Sequence, residues 1–314
     1  MEYDYIKSRA LNQRERHRLR LAVAVDRQVA DPARNDLTGA RGDSRRERLL
    51  GALERLVSNP AEPAESSVLD WALCYASPKA IAAIIDRLSG AQTQPGLLGD
   101  LQNMVPARLL LREYITPDYQ RFQGTSDTPE RALICVTGNA YRLNIPVHHF
   151  HLLAHAAFDV IIYLRDDRKQ HFLRGIRGMG ESLDELAETL KRKVPINGST
   201  AIIATSSGAI AATRLAERLC SERVALFSPE FSFKGVAAIG DRLALTADQV
   251  AIFASKDNPL DVTFMNAWKE THLADSIRWI DADTHGTLAY LVHTKQNDAL
   301  LSWLGGRKPG TGGS

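Results

Sequence analysis

From Arg131 onward the chain repeats one pattern, a short apolar run rich in β-branched residues followed by a longer stretch with helical spacing. The runs "RALICVTG", "DVIIYLR", "STAIIAT", "RVALFSP", "QVAIFAS" and "SIRWIDA" read as strands. The stretches "IPVHHFHLLAHAAF", "SLDELAETLKRKV", the segment from Ala209 and "LDVTFMNAWKETHL" read as helices. Apolar strands without polar alternation are buried on both faces, so the pattern predicts an α/β fold: a mostly parallel sheet with helices on both faces. Ligands of such sheets bind at the carboxyl ends of the strands.

The first third is patterned differently. "RRERLLGALERLVSN" places Leu49, Leu53 and Val57 at four-residue steps, and "SPKAIAAIIDRLSG" opens on Ser-Pro and closes at Gly90. These spacings predict helices, joined by the linker "PAEPAESS" and preceded by the breaker-rich "DPARNDLTGARGDS". The expected organisation is a flexible, charged segment over 1–43, a helical appendage over 44–112, an α/β domain over 113–305 and a disordered tail over 306–314. Deletion of 1–43 should be tolerated. "REYITPDYQRFQG" reads as an edge strand joining appendage to sheet, with Tyr114, Tyr119 and Phe122 supplying packing area.

Composition narrows the function. The 314 residues are 44% hydrophobic, enough for a sizeable core, and 39 Lys plus Arg against 37 Asp plus Glu leave a formal charge of +2. That balance gives no general attraction to nucleic acid or anionic lipid, and no apolar segment approaches the length of a membrane span. Cys74, Cys135 and Cys220 are widely spaced, with Cys135 inside an apolar run, so neither a zinc motif nor a redox pair is expected. A cytoplasmic protein with no cofactor is the expectation. Function must then be sought in a site.

The stretch from Ser199 to Leu219, "STAIIATSSGAIAATRLAERL", breaks at two serines where a strand ends and a helix begins. A nucleophile on such a turn needs small residues two before and two after it, because the flanking backbones approach closely. Ala204-Thr205-Ser206-Ser207-Gly208 meets this with Ser206 at the centre, whereas centring on Ser207 would put the β-branched Thr205 at a tight position. Ser207 then offers its backbone N–H to an oxyanion. Taken alone, a Ser-Ser-Gly helix start is also an ordinary N-cap. Partners change that reading, since serine needs a histidine base and the histidine an orienting acid. In chain order these follow later strand ends: Asp257 after "QVAIFAS" and His285 after "SIRWIDA", with Asp261 the reserve acid, whose alternative role is a helix N-cap.

These residues resemble the α/β-hydrolase superfamily over roughly Arg131 to the C-terminus. Ala204-Thr205-Ser206-Ser207-Gly208 is similar to the family's G-x-S-x-G elbow, and "VTGNA" resembles its oxyanion loop, with Thr137 where a His usually stands. The resemblance implies a second oxyanion N–H from Asn139 or Ala140. "IRGMGES" and Ala254-Ser255-Lys256-Asp257 are similar to two further family loops. The resemblance implies a serine hydrolase acting on an ester or related small-molecule or acyl-carrying substrate, or an acyltransferase with the same triad. A non-catalytic scaffold that keeps the fold is the alternative from another class. Little chain separates the strands ending at Pro229 and Ser255, so a large lid is not expected; Phe231 and Phe233 belong to a small flap or to helix packing.

Two other features carry less. His148, His151 and His155 share one helical face, but no nearby acid or thiol completes a metal site, and a partly solvated helix boundary accounts for them. "NQRERHRLR" intersperses acids with bases, as solvated helix faces do.

Overall fold

The computed structural model describes residues 110–306, apart from 117, 125, 139–142, 146, 167–169, 195–197 and 231–243. The helices expected in the first third, the segment 1–43, Cys74, the flap aromatics Phe231 and Phe233, and the tail beyond 306 therefore lie outside the described residues.

Eight strands form one sheet in the order β1-β2-β4-β3-β5-β6-β7-β8. They are β1 (Leu110–Thr116), β2 (Tyr119–Gln123), β3 (Arg131–Val136), β4 (Val160–Leu164), β5 (Ser199–Thr205), β6 (Arg223–Phe227), β7 (Val250–Ser255) and β8 (Ile277–Ile280). From β3 to β8 every pairing is parallel, while β2 runs antiparallel to both β1 and β4. The single edge strand expected near Tyr114 is thus a hairpin, in which Tyr119 and Phe122 are fully buried. Its first strand starts at Leu110, inside the range assigned to the appendage.

Strict alternation sorts the sheet's side chains to two cores. Leu133, Cys135, Ile161, Tyr163, Ile203 and Phe227 face helices α1 (Val147–Ala154), α5 (Thr287–His293) and α6 (Asn297–Leu304). Ala132, Ile134, Val136, Ile202, Ala204 and Leu226 face α2 (Leu183–Lys191), α3 (Ala209–Arg218) and α4 (Pro259–Trp268). Both faces are covered, as the apolar strand composition requires. Cys135 is buried in the first core, where loss of solvation pushes its thiol pKa up.

Small residues bring α3 close to the sheet. Ala209, Ala211, Ala212 and Ala216 are all fully buried. At the helix start a Cβ on Gly208 would stand 2.7 Å from the Thr137 carbonyl oxygen and 2.8 Å from that of Val136. Such distances leave no room for a side chain, so Gly208 fixes how closely the β5–α3 turn lies against the end of β3. Its φ of -74° suits any residue, and the demand for glycine comes from contact alone.

The histidine face differs from its expectation. His151 is fully buried, its Nδ1 3.3 Å from the Tyr163 hydroxyl and its ring edge-on to Phe122. Desolvation, helped by neighbouring His155, lowers its pKa from 6.5 to about 3. Solvent therefore does not explain this residue; it is an aromatic member of the core. The side chain of His148 lies outside the described residues.

Two outcomes follow. Gly208→Ala should lower stability by about 1–3 kcal/mol in urea unfolding, because either the turn or β3 must move, while Gly286→Ala, whose Cβ would meet nothing closer than 3.4 Å, should be close to neutral. For His151 the unfolded chain binds a proton below pH 6.5 and the folded chain does not until about pH 3. Its contribution to stability is complete above pH 6.5 and declines by up to about 1.4 kcal/mol per pH unit as the pH falls through that window. His151→Phe should flatten the acid limb of a stability-versus-pH curve; an unchanged slope would contradict the assignment.

Candidate active site

Three strand ends converge at the carboxyl edge of the sheet. β5 delivers Ser206, the loop after β8 delivers His285, and the first turn of α4, which follows β7, delivers Asp261. The His285 Nε2 lies 3.2 Å from the Ser206 Oγ, and its Nδ1 lies 2.6 Å from the Asp261 Oδ1. A carboxylate accepts only, so Nδ1 carries the proton shared with Asp261. In the neutral ring Nε2 is then left to accept from serine.

The elbow sets the position of Ser206. Its φ is 50°, in the left-handed region that L residues rarely occupy, and the chain passes through a single 3-10 turn, Ser206–Gly208, directly into α3. The small residues expected on either side are needed: Ala204 is fully buried, and Gly208 presses on β3. Gly138, at the end of β3, is equally constrained, since a Cβ there would stand 2.9 Å from the Thr205 carbonyl oxygen and 3.0 Å from the Ser206 Cβ. Its N–H donates to Thr205 Oγ1 at 3.2 Å. Ser207 is buried at the start of the turn, where N–H groups have no acceptor one turn back. Asn139 and Ala140, the expected sources of a second oxyanion N–H, lie outside the described residues.

The acid requires a correction. Asp257 is exposed in the turn after β7, beside Lys256, which is itself paired with Asp281. Asp261, held in reserve on the sequence, is the carboxylate that meets His285. Part of the reason is local: Asn258 caps α4, its side chain accepting from the N–H groups of Leu260 and Asp261, and Asp261 lies in that first turn at 0% exposure. The N-cap role considered for Asp261 belongs to Asn258. Burial leaves the carboxylate dependent on protein donors, and it has them: Ser255 N–H and Ser228 Oγ each donate to Oδ2 at 2.8 Å. The partial positive charge of the helix N-terminus adds to them. Ser228 Oγ has one proton, given to Asp261, so the Thr287 hydroxyl 3.0 Å away must donate to Ser228. Thr287 begins α5, two residues after His285, and the same network therefore joins the segments that carry His285 and Asp261.

Three neighbours of the Ser206–His285–Asp261 cluster escaped the sequence reading. Glu230 Oε2 accepts from, or shares the proton of, the Ser206 hydroxyl at 3.0 Å, and the Glu230 N–H donates to the Ser206 carbonyl at 3.1 Å. Ser228 supports the acid. His171 approaches the elbow with Nδ1 3.3 Å from the Ser207 carbonyl. Ser228 and Glu230 stand just past the end of β6, in "LFSPE", so the strand-end rule that selected His285 points to them as well. His171 has no such signal, because the insert that carries it breaks the strand-helix pattern.

Among the described residues no group of His, Cys, Asp or Glu is arranged to hold a metal ion, and no helix is long and apolar enough to cross a membrane.

No protein-family model matches the chain, and no curated protein is a detectable relative. Solved structures do show similarity. An α/β serine hydrolase homologue from Coxiella burnetii is 12% identical with a TM-score of 0.42, the match covering 58% of this chain and 89% of that one. An α/β serine hydrolase without lid from Xanthomonas campestris is 14% identical with a TM-score of 0.40, covering 59% and 89%. The protein AbyA5 is 17% identical with a TM-score of 0.42, and that match spans 86% of this chain and 88% of its own.

Asp261→Asn should cut turnover of an activated ester by about 10²–10⁴-fold, since an amide can neither hold the Nδ1–H tautomer nor balance a charged imidazole. Asp257→Asn should leave it within about twofold, because an exposed group away from the network contributes little. Kinetics on the two purified variants decide between the acids. The strand order, the antiparallel β2, the crossovers from β3 onward and the Ser206 elbow together give the described part of the chain the α/β-hydrolase fold.

Proposed function

We propose that the protein is a serine hydrolase acting on an ester or related acyl substrate through an acyl-enzyme. One observation carries this reading: His285 reaches Ser206 Oγ with one ring nitrogen and a buried, fully hydrogen-bonded carboxylate with the other. Ser206 Oγ attacks the carbonyl carbon while its proton passes to Nε2 of His285. The imidazolium so formed keeps its Nδ1–H on Asp261, whose charge stabilises it. The carbonyl oxygen becomes an oxyanion, for which the Ser207 N–H is the proposed first donor and that of Asn139 the proposed second. Collapse of the tetrahedral intermediate breaks the bond to the leaving group, which takes the proton from Nε2. Water then repeats the sequence against the acyl-enzyme, with His285 again as base, and releases the acid.

Acyl transfer to an alcohol or amine uses the same first half, and the difference lies in what reaches the acyl-enzyme second. Hydrolysis is the reading preferred here because water needs no acceptor site.

A fluorophosphonate probe tests the mechanism directly. Labelling should map to Ser206 and vanish in Ser206→Ala, whose ester turnover should fall by at least roughly a thousandfold with unfolding behaviour close to wild type. Ser207→Ala should keep much of its activity, because its part is played by the backbone. Folded protein that takes no label would overturn the proposal.

A further inference from the structure

A serine hydroxyl has one proton, and Ser206 has two neighbours competing for it: His285 at 3.2 Å and the Glu230 carboxylate at 3.0 Å. Catalysis by the triad needs the proton on the histidine side. Glu230 is therefore an addition to the triad and not part of it. Its backbone is tied to the elbow through the Ser206 carbonyl, so the side chain is held at the nucleophile by both ends of the residue. Among the described residues no Lys or Arg pairs with it, and it is only half-buried.

Its charge opposes the chemistry of a neutral ester. The carbonyl to be attacked must sit about 3 Å from Ser206 Oγ. The oxyanion then develops within a few ångströms of Glu230. Asp261 and the imidazolium balance each other, so the oxyanion and Glu230 leave the site one negative charge richer than a Ser-His-Asp triad alone would be. Exclusion of water by a bound substrate sharpens that repulsion. A positive group on the substrate, close to the carbonyl, removes the excess and gives the carboxylate a partner once Ser206 has turned to attack.

We infer that Glu230 is a specificity-determining residue that selects substrates bearing a cationic group, an amine or quaternary ammonium, near the scissile acyl bond. The inference rests on the serine hydrolase reading and adds a substrate class to it. Anionic acyl groups are disfavoured by the same charge, and a substrate cation takes over the hydrogen bond or ion pair that Ser206 relinquishes. The carboxylate thus occupies the nucleophile at rest and the substrate during turnover.

A matched pair of fluorophosphonates separates the two claims. One carries a choline-type ester arm, and the other its neutral isostere with carbon in place of the quaternary nitrogen. In both the Ser206 Oγ–P bond forms, the P–F bond breaks and the Oγ proton passes to His285, so only the charge of the arm differs. Wild-type protein should react about tenfold or more faster with the cationic probe, the effect of one close opposite charge in a partly solvated site. In Glu230→Gln, which keeps the shape, the ratio should fall to near unity. Equal rates in the wild type would overturn the inference and leave the serine reading standing, and so would a preference that survives Glu230→Gln. Absence of reaction with both probes would overturn both. Should the variant not fold, judged by circular dichroism, the wild-type ratio measured at rising salt serves instead: it should fall, and a constant ratio would refute a charge-based preference.

Discussion

The backbone of Ser206 is held in a conformation it would not choose. A φ of 50° at a non-glycine residue costs about 1–2 kcal/mol, and the residues on either side of the turn are closely packed. Gly208 lies against the last carbonyls of β3, Gly138 lies against Thr205 and the Ser206 Cβ, and Ala204 is buried beneath. β3 and β5 are hydrogen-bonded neighbours in the centre of the sheet, so these contacts sit where the structure yields least. The stored strain points one hydroxyl out of the sheet's edge with its position fixed. His285 and Glu230 both meet that hydroxyl.

The second requirement is a charge that stays buried. A carboxylate without solvent is costly unless its lone pairs are taken up, and Asp261 meets this with the Ser255 N–H, the Ser228 hydroxyl, His285 Nδ1 and the N-terminus of α4. Those donors come from β7, from the end of β6 and from the loop after β8. One buried group therefore ties three segments together, and Thr287 adds the start of α5. The carboxylate that these donors hold is also the one that holds the histidine ring.

Glu230 stands apart from this economy. Asp261 is fully buried among its donors, while Glu230 is half-buried, unpaired by any Lys or Arg among the described residues, and hydrogen-bonded to the Ser206 hydroxyl. The two acids thus have opposite environments within one site. One is enclosed by donors, while the other is partly exposed beside the Ser206 hydroxyl.

Much of this was legible in the chain. Apolar runs without alternation, separated by amphipathic stretches, determine a parallel sheet covered on both faces, because only that arrangement buries both sides of every strand. The small residues around Ser206 identified the elbow, since crowding at a strand-to-helix turn is a property of the backbone. His285, which the fold brings to Ser206, stands past a strand end as the pattern suggested. What the sequence could not decide was which carboxylate turns inward. Asp257 and Asp261 lie on one short loop and helix start, and the choice depends on Asn258 capping α4 and on Ser228 and Thr287 waiting across the fold. Likewise the histidines of α1 show polar spacing, yet Phe122 from β2 and Tyr163 from β4 pack against His151. Local pattern reports how a segment presents its side chains; only tertiary structure supplies the donors and rings that receive them. Glu230 illustrates the limit most plainly, for its meaning comes from a 3.0 Å contact with a residue 24 positions away.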